Sequence, residues 1–383
     1  MKPEPIILAW LVGFNLRAAV LAVPPVLPQL RADLHLSFSL AGALISLPIL
    51  CMGAAAIPGA LLSNRVGARS VVGAATLVVG LAALARLLPP EQLAVFLGTL
   101  ALGLAIAVAQ PAAAVVIREW YPRTLQRAST IYALGINAGG IAGATATVYL
   151  LSLFGWRGTF IIWALPAIVI ALLWMSAAPE VHALEDEPHS LSVLIRDRGV
   201  WRAAGLFGGQ SLAYFTTVGW IPFLLRPYGQ VYLSIVLLTL GGAVLAGTAV
   251  LAMTTRHLAV SPRFYIISGS LVLAGAAGLS FGLRAWALVL AALIGLGAGL
   301  TFAGVMAMPP ILARSNAQVA GYAGLMLTAG YFVAFFGPLI GGFLLDQTGI
   351  VAAPFWLVVG AGAVIAAMGL TLVRREAASF ADR

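Results

Sequence analysis

Long apolar segments recur along the entire chain, and they limit its fold more than any other feature. Hydrophobic residues make up 62% of the 383 residues and charged residues only 9%, whereas ordinary soluble domains carry roughly 25% charged residues. An α-helix needs about 20 consecutive apolar residues to cross the ~30 Å hydrocarbon core of a bilayer. A water-soluble fold is therefore excluded, and the sequence predicts an all-α integral membrane protein.

Charged residues, prolines and glycines divide the apolar sequence into twelve segments of membrane-spanning length. The first six lie near residues 5–30, 38–62, 70–88, 92–117, 128–153 and 157–176. The second six lie near residues 201–225, 231–254, 264–283, 285–312, 318–345 and 351–373. The sequence thus predicts twelve transmembrane helices with short connections and leaves no room for a sizeable soluble domain.

The most charged stretch of the chain lies between the two sets of helices and predicts a cytoplasmic linker at residues 177–200. It separates an N-terminal six-helix bundle, residues 1–176, from a C-terminal one, residues 201–383. The two halves carry weakly repeated features: Pro28–Arg31 ends the first predicted helix as Pro222–Arg226 ends the seventh. Such a repeat is typical of a duplicated, pseudo-symmetric membrane protein.

Lysine and arginine residues are distributed unevenly between the two ends of the predicted helices. Of the 21 in the chain, fifteen fall on the side that holds both termini. Because cationic loops are retained in the cytoplasm, the sequence predicts a multi-pass inner-membrane protein with both termini cytoplasmic. The remaining residues are Arg31, Arg86, Arg157, Arg226 and Arg284 on the opposite side and Arg17 within a helix.

The net charge of +9 does not indicate nucleic-acid binding, because the basic residues are spread singly between apolar runs. The single cysteine, Cys51, lies inside an apolar segment, and the four histidines fall in or beside loops, so no metal site is expected. The expected partners are a small-molecule substrate and membrane lipid. We expect a monomer with no nucleic-acid partner, no cofactor and no metal.

An integral-membrane enzyme is the alternative class, and it would need catalytic groups gathered near the membrane surface. The sequence shows no such set, although Arg118, Glu119, Arg123 and Arg127 cluster in one predicted cytoplasmic loop. Retention of that loop in the cytoplasm explains the cluster more simply. The sequence therefore favours a protein that is not an enzyme.

Arg17 falls near the middle of the first predicted helix, where charge is most costly. An arginine at the centre of a membrane helix costs about 2.5 to 3.5 kcal/mol on insertion scales. No Asp or Glu falls in the interior of any predicted helix, and the closest, Asp346, lies at a helix end. Neutralisation of Arg17 by backbone carbonyls is one interpretation. We favour the other, in which Arg17 faces a water-filled cavity and attracts an anionic or strongly dipolar solute.

Six further polar side chains inside predicted helices are candidates for the same cavity. They are Asn15, Gln110, Asn137, Gln210, Tyr214 and Tyr331. Gln210 and Tyr214 are four residues apart and so share a helix face. Each of the six could instead form a hydrogen bond that only joins two helices, and that alternative stays open. Together with Arg17 they are the predicted substrate-binding residues.

Several short motifs resemble one branch of a known family. Asn15-Leu-Arg17 with Pro24–Pro28, Gly155-Trp-Arg157, and Gln210-Ser211 with Trp220–Pro222 resemble the cyanate permease and nitroimidazole-resistance branch of the major facilitator superfamily. The resemblance spans the chain. It implies the major facilitator fold, with twelve helices in two pseudo-symmetric halves, alternating access, and cyanate-like or nitro-compound substrates.

The loop after the second predicted helix resembles the gating motif of that superfamily, in which Gly and Asp precede Arg-x-Gly. Here the motif contains Asn64, Arg65, Gly67 and Arg69. Asn64 stands where the family usually has Asp, and a neutral amide forms a weaker hydrogen bond than a carboxylate. This departure predicts that the motif stabilises the outward-open state less than it does in the family. The matching loop of the second half, residues 254–263, keeps only scattered arginines.

Together the residues and the resemblance predict a secondary transporter that moves a small anionic or polar organic solute, cyanate-like or related, across the membrane. A drug or toxic-compound exporter of the same fold is the alternative. The lack of acidic residues inside the predicted helices argues against cationic substrates. Import and export are both compatible with the sequence, as are proton coupling, exchange and facilitated diffusion.

Overall fold

A computed structural model of the protein describes four stretches of the chain, and nearly all of their residues are α-helical. These stretches are residues 4–180, 195–252, 261–312 and 316–381. Residues 181–194 of the predicted linker and residues 253–260 of the second-half loop lie outside them.

The six apolar segments of the first half fold as seven helices. They are α1 (Pro5–Leu21), α2 (Val23–Asp33), α3 (Phe38–Ala54), α4 (Ala56–Val66), α5 (Ala68–Ala85), α6 (Glu91–Trp120) and α7 (Leu125–Ala177). Two predicted segments each consist of two helices that meet at one residue, Ala22 between α1 and α2 and Ala55 between α3 and α4. Pro24 and Pro25 follow the first of these breaks. A proline removes an intrahelical hydrogen bond because it has no backbone N–H.

α7 covers two predicted segments in one run of 53 residues. Gly155 interrupts the run with φ 63° and ψ −178°, a backbone conformation that glycine adopts without the steric cost it has for other residues. The interruption falls between the fifth and sixth predicted helices. The first half therefore contains six membrane-length segments, as predicted.

The second half folds as six helices joined by short connections. They are α8 (Arg198–Leu225), α9 (Gln230–Ala252), α10 (Pro262–Ser280), α11 (Ala287–Leu312), α12 (Asn316–Thr348) and α13 (Pro354–Ala381). The described stretches thus hold twelve membrane-length helical segments, six in each half. The predicted all-α fold of twelve helices is confirmed.

By length and composition alone, eight of the described helical segments can cross a bilayer. The count is below twelve partly because α7, which covers two predicted segments, counts once. In addition, α3 and the apolar part of α13 are shorter than the 18 residues that a membrane-spanning helix needs by this criterion. α8 is not among the eight, since Gln210, Ser211 and Thr216 interrupt its apolar sequence. A helix that carries two candidate binding residues is therefore less apolar than its neighbours.

The helices form two compact units. In its described parts, the first contains Met1–Leu36 and Leu47–Glu187, and the second contains Ser37–Ser46 and Pro188–Arg383. By its contacts, the start of α3 therefore belongs to the second unit, although it lies in the first half of the sequence.

The start of α3 is held by a carboxylate from α12. Asp346, in the last turn of α12, accepts hydrogen bonds from the backbone N–H of Phe38 (2.9 Å) and of Ser39 (2.7 Å). It also accepts one from the hydroxyl of Ser39 (2.5 Å). The first N–H groups of a helix have no intrahelical acceptor, and negative charge is favourable there because of the helix dipole. Asp346 therefore caps α3 from a distant part of the sequence.

Helices α10 and α11 approach closely around a buried polar pair in the second unit. The hydroxyl of Thr301 donates to the hydroxyl oxygen of Ser268 (2.8 Å), and both side chains are fully buried. Beside this pair, Gly297 lies so close to the Ser268 carbonyl that a Cβ atom would collide with it. Small and hydroxylated residues are typical of contacts between membrane helices.

Candidate functional site

α1 packs along the first part of α7 through a row of glycines, here called the α1–α7 seam. Gly135, Gly139 and Gly143 of α7 lie directly against backbone carbonyls of α1, among them those of Phe14 and Ala18. A Cβ atom at Gly143 would lie 2.6 Å from the carbonyl oxygen of Ala18. Small residues allow membrane helices to approach this closely. The seam fixes the register of the polar residues that both helices carry.

Arg17 lies beside this seam. Its Cγ atom would be 3.1 Å from a Cβ atom placed on Gly140, and its side chain is partly exposed. Arg17 follows Pro5, the first residue of α1, by twelve residues, which is about 18 Å at ~1.5 Å per residue. Arg17 thus belongs to the central part of the combined α1–α2 segment, and part of the residue is accessible.

Asn15 lies on a different side of α1 from Arg17, because residues two apart in a helix point about 200° apart. Its side chain is 1% exposed, and neither Oδ1 nor Nδ2 has a hydrogen-bond partner among the described residues. Buried polar atoms without partners are uncommon in folded proteins. The structure therefore does not bring Asn15 and Arg17 to one surface, and Asn15 remains a separate candidate.

The other two candidates of the first unit are partly exposed. Asn137 lies one turn before Gly140 on α7, and its Nδ2 donates to the carbonyl of Ala133 (2.9 Å). Its face of α7 is therefore the face beside Arg17, since residues three apart are neighbours on a helix. Gln110 lies on α6, immediately before Pro111, and makes no hydrogen bond within the described stretches.

In the second unit, three residues of α8 share one face. Phe207, Gln210 and Tyr214 are spaced by three and four residues, so they follow one another along the helix surface. The ring of Tyr331 from α12 packs edge-on against Phe207, with the ring centres 5.0 Å apart. Gln210 is 5% exposed, and its Oε1 accepts a hydrogen bond from Ser211 (3.0 Å). Tyr214 and Tyr331 are partly exposed.

Because residues 198–225 form one helix, Gln210 and Tyr214 lie on one face of α8, and Phe207 lies on the same face. Phe207 was not a candidate, because an apolar residue in an apolar helix gives no signal in the sequence. Its ring contacts that of Tyr331 and so brings α12 against this face of α8.

The predicted gating motif lies at the turn from α4 to α5. Gly67 ends α4 with φ 92°, a conformation that favours glycine. Arg65 is exposed, and the Asn64 side chain is not among those described. Arg69 donates from Nη2 to the carbonyl of Met175 near the end of α7 (2.9 Å). A cation is favourable at a helix C-terminus, so Arg69 ties the start of α5 to the end of α7 within the first unit.

A second polar cluster of the first unit was not predicted. The indole N–H of Trp156 donates to Asp33 Oδ2 (2.8 Å) at the end of α2. Arg157 forms an ion pair with Glu91 at the start of α6 (2.6 Å) and lies 4.2 Å above the Trp156 ring. The motif Gly155-Trp-Arg157 therefore connects three helix ends. The motif can be recognised in the sequence by its resemblance, but its partners cannot, because they lie 66 and 123 residues away.

Within the described stretches, no group of three or more His, Cys, Asp or Glu side chains is placed so that it could hold a metal ion. The candidate side chains are amides, phenols and one guanidinium group, which form hydrogen bonds and attract charge.

Comparison with known proteins places the chain in a family. The family model described as Major Facilitator Superfamily matches residues 7–334. The 2-nitroimidazole transporter of Escherichia coli (strain K12) is 26% identical over 371 residues, covering 94% of this chain and 93% of that protein. The cyanate transport protein CynX of the same strain is 29% identical over 253 residues, covering 64% of this chain and 65% of that protein.

A solved structure has the same fold. The crystal structure of a D-xylose–proton symporter superposes with a TM-score of 0.75 at 14% sequence identity, covering 96% of both chains. The family match and the relatives confirm the predicted class, a transporter and not an enzyme. With a family model that matches most of its length, transporter relatives and the twelve-helix fold, the chain belongs to the Major Facilitator Superfamily.

Proposed function

We propose that this transporter moves a small organic anion across the membrane by alternating access, with Arg17 as the electrostatic anchor for the substrate. The observation that carries the proposal is the placement of Arg17 in the central part of the α1–α2 segment, partly exposed and fixed by the α1–α7 seam. A charged side chain at this depth is costly, and such residues usually mark the pathway of a solute or ion.

The names of the relatives support an anionic or small polar substrate, since one is a cyanate transport protein and another a 2-nitroimidazole transporter. Cyanate is a small linear anion. A guanidinium group binds such anions with charge-assisted hydrogen bonds, which are roughly twice as strong as neutral ones. We therefore take cyanate-like organic anions as the substrate class to test first.

The remaining candidates supply hydrogen bonds in this proposal. Gln210 donates from its amide and Tyr214 from its phenol on the shared face of α8, and Tyr331 donates from α12. In the first unit the corresponding donors are Asn137 and Gln110. The amide of Asn15 has no partner among the described residues. In this proposal it donates to the substrate only after a change in conformation exposes it.

The proposed location is the cytoplasmic membrane, with both termini in the cytoplasm and a single chain as the transporting unit. The unequal distribution of Arg and Lys supports this orientation. In the gating motif, Asn64, Arg65 and Gly67 are proposed to control opening, while Arg69 holds α5 to the end of α7.

Uptake of labelled cyanate into proteoliposomes tests the proposal. We expect wild-type protein to accumulate cyanate and Arg17→Ala to lose uptake while it remains folded, as judged by its elution as a monodisperse peak. Arg17→Lys keeps the charge and should retain part of the uptake. Arg226→Ala is the matched control, because Arg226 is exposed in the turn after α8. Uptake by Arg17→Ala equal to wild type would exclude Arg17 as the anchor.

An exporter of toxic compounds is the second candidate, and the 2-nitroimidazole transporter among the relatives favours it. Thermal-shift titration of the purified protein separates the two. Stabilisation by cyanate supports the anion transporter, stabilisation by 2-nitroimidazole alone supports the exporter, and stabilisation by cationic dyes alone contradicts both the anionic substrate and the role of Arg17.

A further inference from the structure

Gly140 of α7 differs from the neighbouring glycines of the α1–α7 seam in what it faces. Cβ atoms at Gly139 and Gly143 would collide with backbone carbonyls of α1, so these two glycines allow the helices to approach. The nearest atoms to a Cβ at Gly140 belong to side chains, Leu21 Cδ1 at 3.0 Å and Arg17 Cγ at 3.1 Å. Glycine within a helix is less stable than alanine, so Gly140 has a cost that the approach of the two backbones does not explain.

The missing side chain at Gly140 leaves room for the stem of Arg17. Arg17 Cγ and Nε would lie 3.1 and 3.9 Å from a Cβ atom at this position, so the arginine side chain runs across α7 at Gly140. Carbon atoms in van der Waals contact are about 3.5 to 4.0 Å apart. A methyl group at residue 140 would therefore press on the stem and displace it.

The second unit contains an equivalent helix pair, α8 and α12, which serves as an internal comparison. Close contacts recur there at one constant offset along the chain, with Gly143 and Ala18 corresponding to Gly337 and Leu212, and Gly139 and Phe14 corresponding to Val333 and Gly208. In each of these pairs, a Cβ atom placed on the glycine would touch the partner residue. The two helix pairs therefore pack in the same register.

At this offset, Ser211 of α8 corresponds to Arg17, and Ala334 of α12 corresponds to Gly140. Ser211 is 3% and Ala334 0% exposed. Where the side chain from α8 is short, the facing helix carries a methyl group. Where the side chain from α1 is long, the facing helix carries no side chain. The comparison indicates that the glycine at residue 140 accompanies the arginine and is not required by the packing of the helices.

We propose that Gly140 is a positioning residue for Arg17. It keeps the stem of the arginine against α7 and thereby fixes where the guanidinium group meets the substrate, without touching the substrate itself. This inference rests on the proposed role of Arg17 as the electrostatic anchor. A side chain at residue 140 lifts the stem away from α7, and because hydrogen bonds weaken steeply when their geometry is poor, the affinity for the anion falls.

Labelling with p-hydroxyphenylglyoxal, an arginine reagent, reports the position of the Arg17 side chain in the purified full chain without any substrate. Peptide mass spectrometry gives the labelling rate, with the exposed Arg226 as internal reference. We expect Arg17 to be labelled several-fold faster in Gly140→Ala and faster still in Gly140→Val. Gly242→Ala is the matched control, because no atom lies within 4 Å of a Cβ at that position of α9. Unchanged labelling of Arg17 in both Gly140 variants would overturn the proposal.

Cyanate uptake into proteoliposomes measures the consequence for transport. Gly140→Ala should raise KM several-fold and change kcat little. Its thermal unfolding midpoint should also change little, because the helix preference of alanine offsets the crowding. A lower midpoint with an unchanged KM would assign Gly140 to packing alone and contradict the proposal.

Leu21→Val separates the two side chains that a methyl group at Gly140 would meet, because valine has no Cδ1 atom. Leu21→Val alone should keep the KM of wild type, and the combination with Gly140→Ala should keep the raised KM. A KM restored by the combination would assign the effect to Leu21 and overturn the proposal. If Arg17→Ala takes up cyanate like wild type, the anchor is excluded, whereas the labelling rates still decide whether Gly140 positions the arginine.

Discussion

The carboxylate of Asp346 lies 2.7 Å from the backbone nitrogen of Ser39, although 307 residues separate the two in the chain. With the bonds from Phe38 and the Ser39 hydroxyl, it provides three acceptor contacts at the first turn of α3. A capping residue usually comes from the helix it caps. Here the cap comes from α12, so the stability of α3 depends on the position of another helix of the same unit.

Replacing Asp346 by Asn should lower the thermal unfolding midpoint of the detergent-purified protein. The amide keeps one acceptor oxygen but loses the charge, and loss of a helix cap costs about 0.5 to 2 kcal/mol. Gln347→Ala, at the exposed neighbouring position, should leave the midpoint unchanged. An Asp346→Asn protein as stable as wild type would show that the cap contributes nothing to the folded state.

The Ser268–Thr301 pair should behave as one coupled unit in a double-mutant cycle. Thr301→Val leaves the Ser268 hydroxyl without its donor, and Ser268→Ala leaves Thr301 without its acceptor in α10, so each single change destabilises the protein. The double change removes both groups and should cost less than the sum. The expected coupling energy is about 0.6 kcal/mol, measured by unfolding in denaturing detergent. Strict additivity would contradict the interaction.

Gly139→Ala should disrupt the α1–α7 seam, because the new Cβ atom would collide with the carbonyl of Phe14. We expect a low yield of monodisperse protein in fluorescence-detected size-exclusion chromatography. Gly360→Ala is the matched control, since no atom lies within 4 Å of a Cβ at that position of α13. Normal yield of Gly139→Ala would mean that α1 and α7 can separate at little cost.

Trp156→Phe should destabilise the first unit more than Arg157→Gln does. The phenyl ring preserves most of the packing of a fully buried side chain but removes the indole N–H that donates to Asp33, and a hydrogen bond to a charged group contributes about 1.5 to 3 kcal/mol. The Arg157–Glu91 pair is 51% and 30% exposed, and exposed pairs contribute about 0.2 to 1 kcal/mol. Thermal unfolding midpoints compare the two, and the opposite order would refute this ranking.

The helices could be predicted because the bilayer requires long apolar segments, and the length of each segment can be read directly from the sequence. The break at Gly155 was predictable for the same reason, since glycine and charge interrupt the apolar run there. Arg86 shows the limit of this reasoning. The sequence places it near the end of the third predicted helix, on the side opposite both termini, but its burial depends on Phe160 and Gly98 from other helices.

The candidate binding residues were predicted from one property, polarity inside an apolar helix. This property does not indicate to which side of the helix a side chain points. Asn15 and Arg17 satisfy it equally, yet they point to different sides of α1. The spacing of Gln210 and Tyr214 adds this information, because residues four apart lie on a common helix face. The role of Phe207 could not be predicted, since it depends on the packing of Tyr331 from a helix more than a hundred residues later.

The α1–α7 seam has a mechanical consequence. Three carbonyls of α1 touch glycines at intervals of one helical turn, so the two helices cannot slide or rotate against each other without collision. α1 and the first part of α7 must then travel as a single rigid body. A displacement that moves the backbone at Arg17 carries the backbone at Asn137 by the same amount, so the separation of these two backbone positions stays constant in any conformational change that keeps the α1–α7 seam closed.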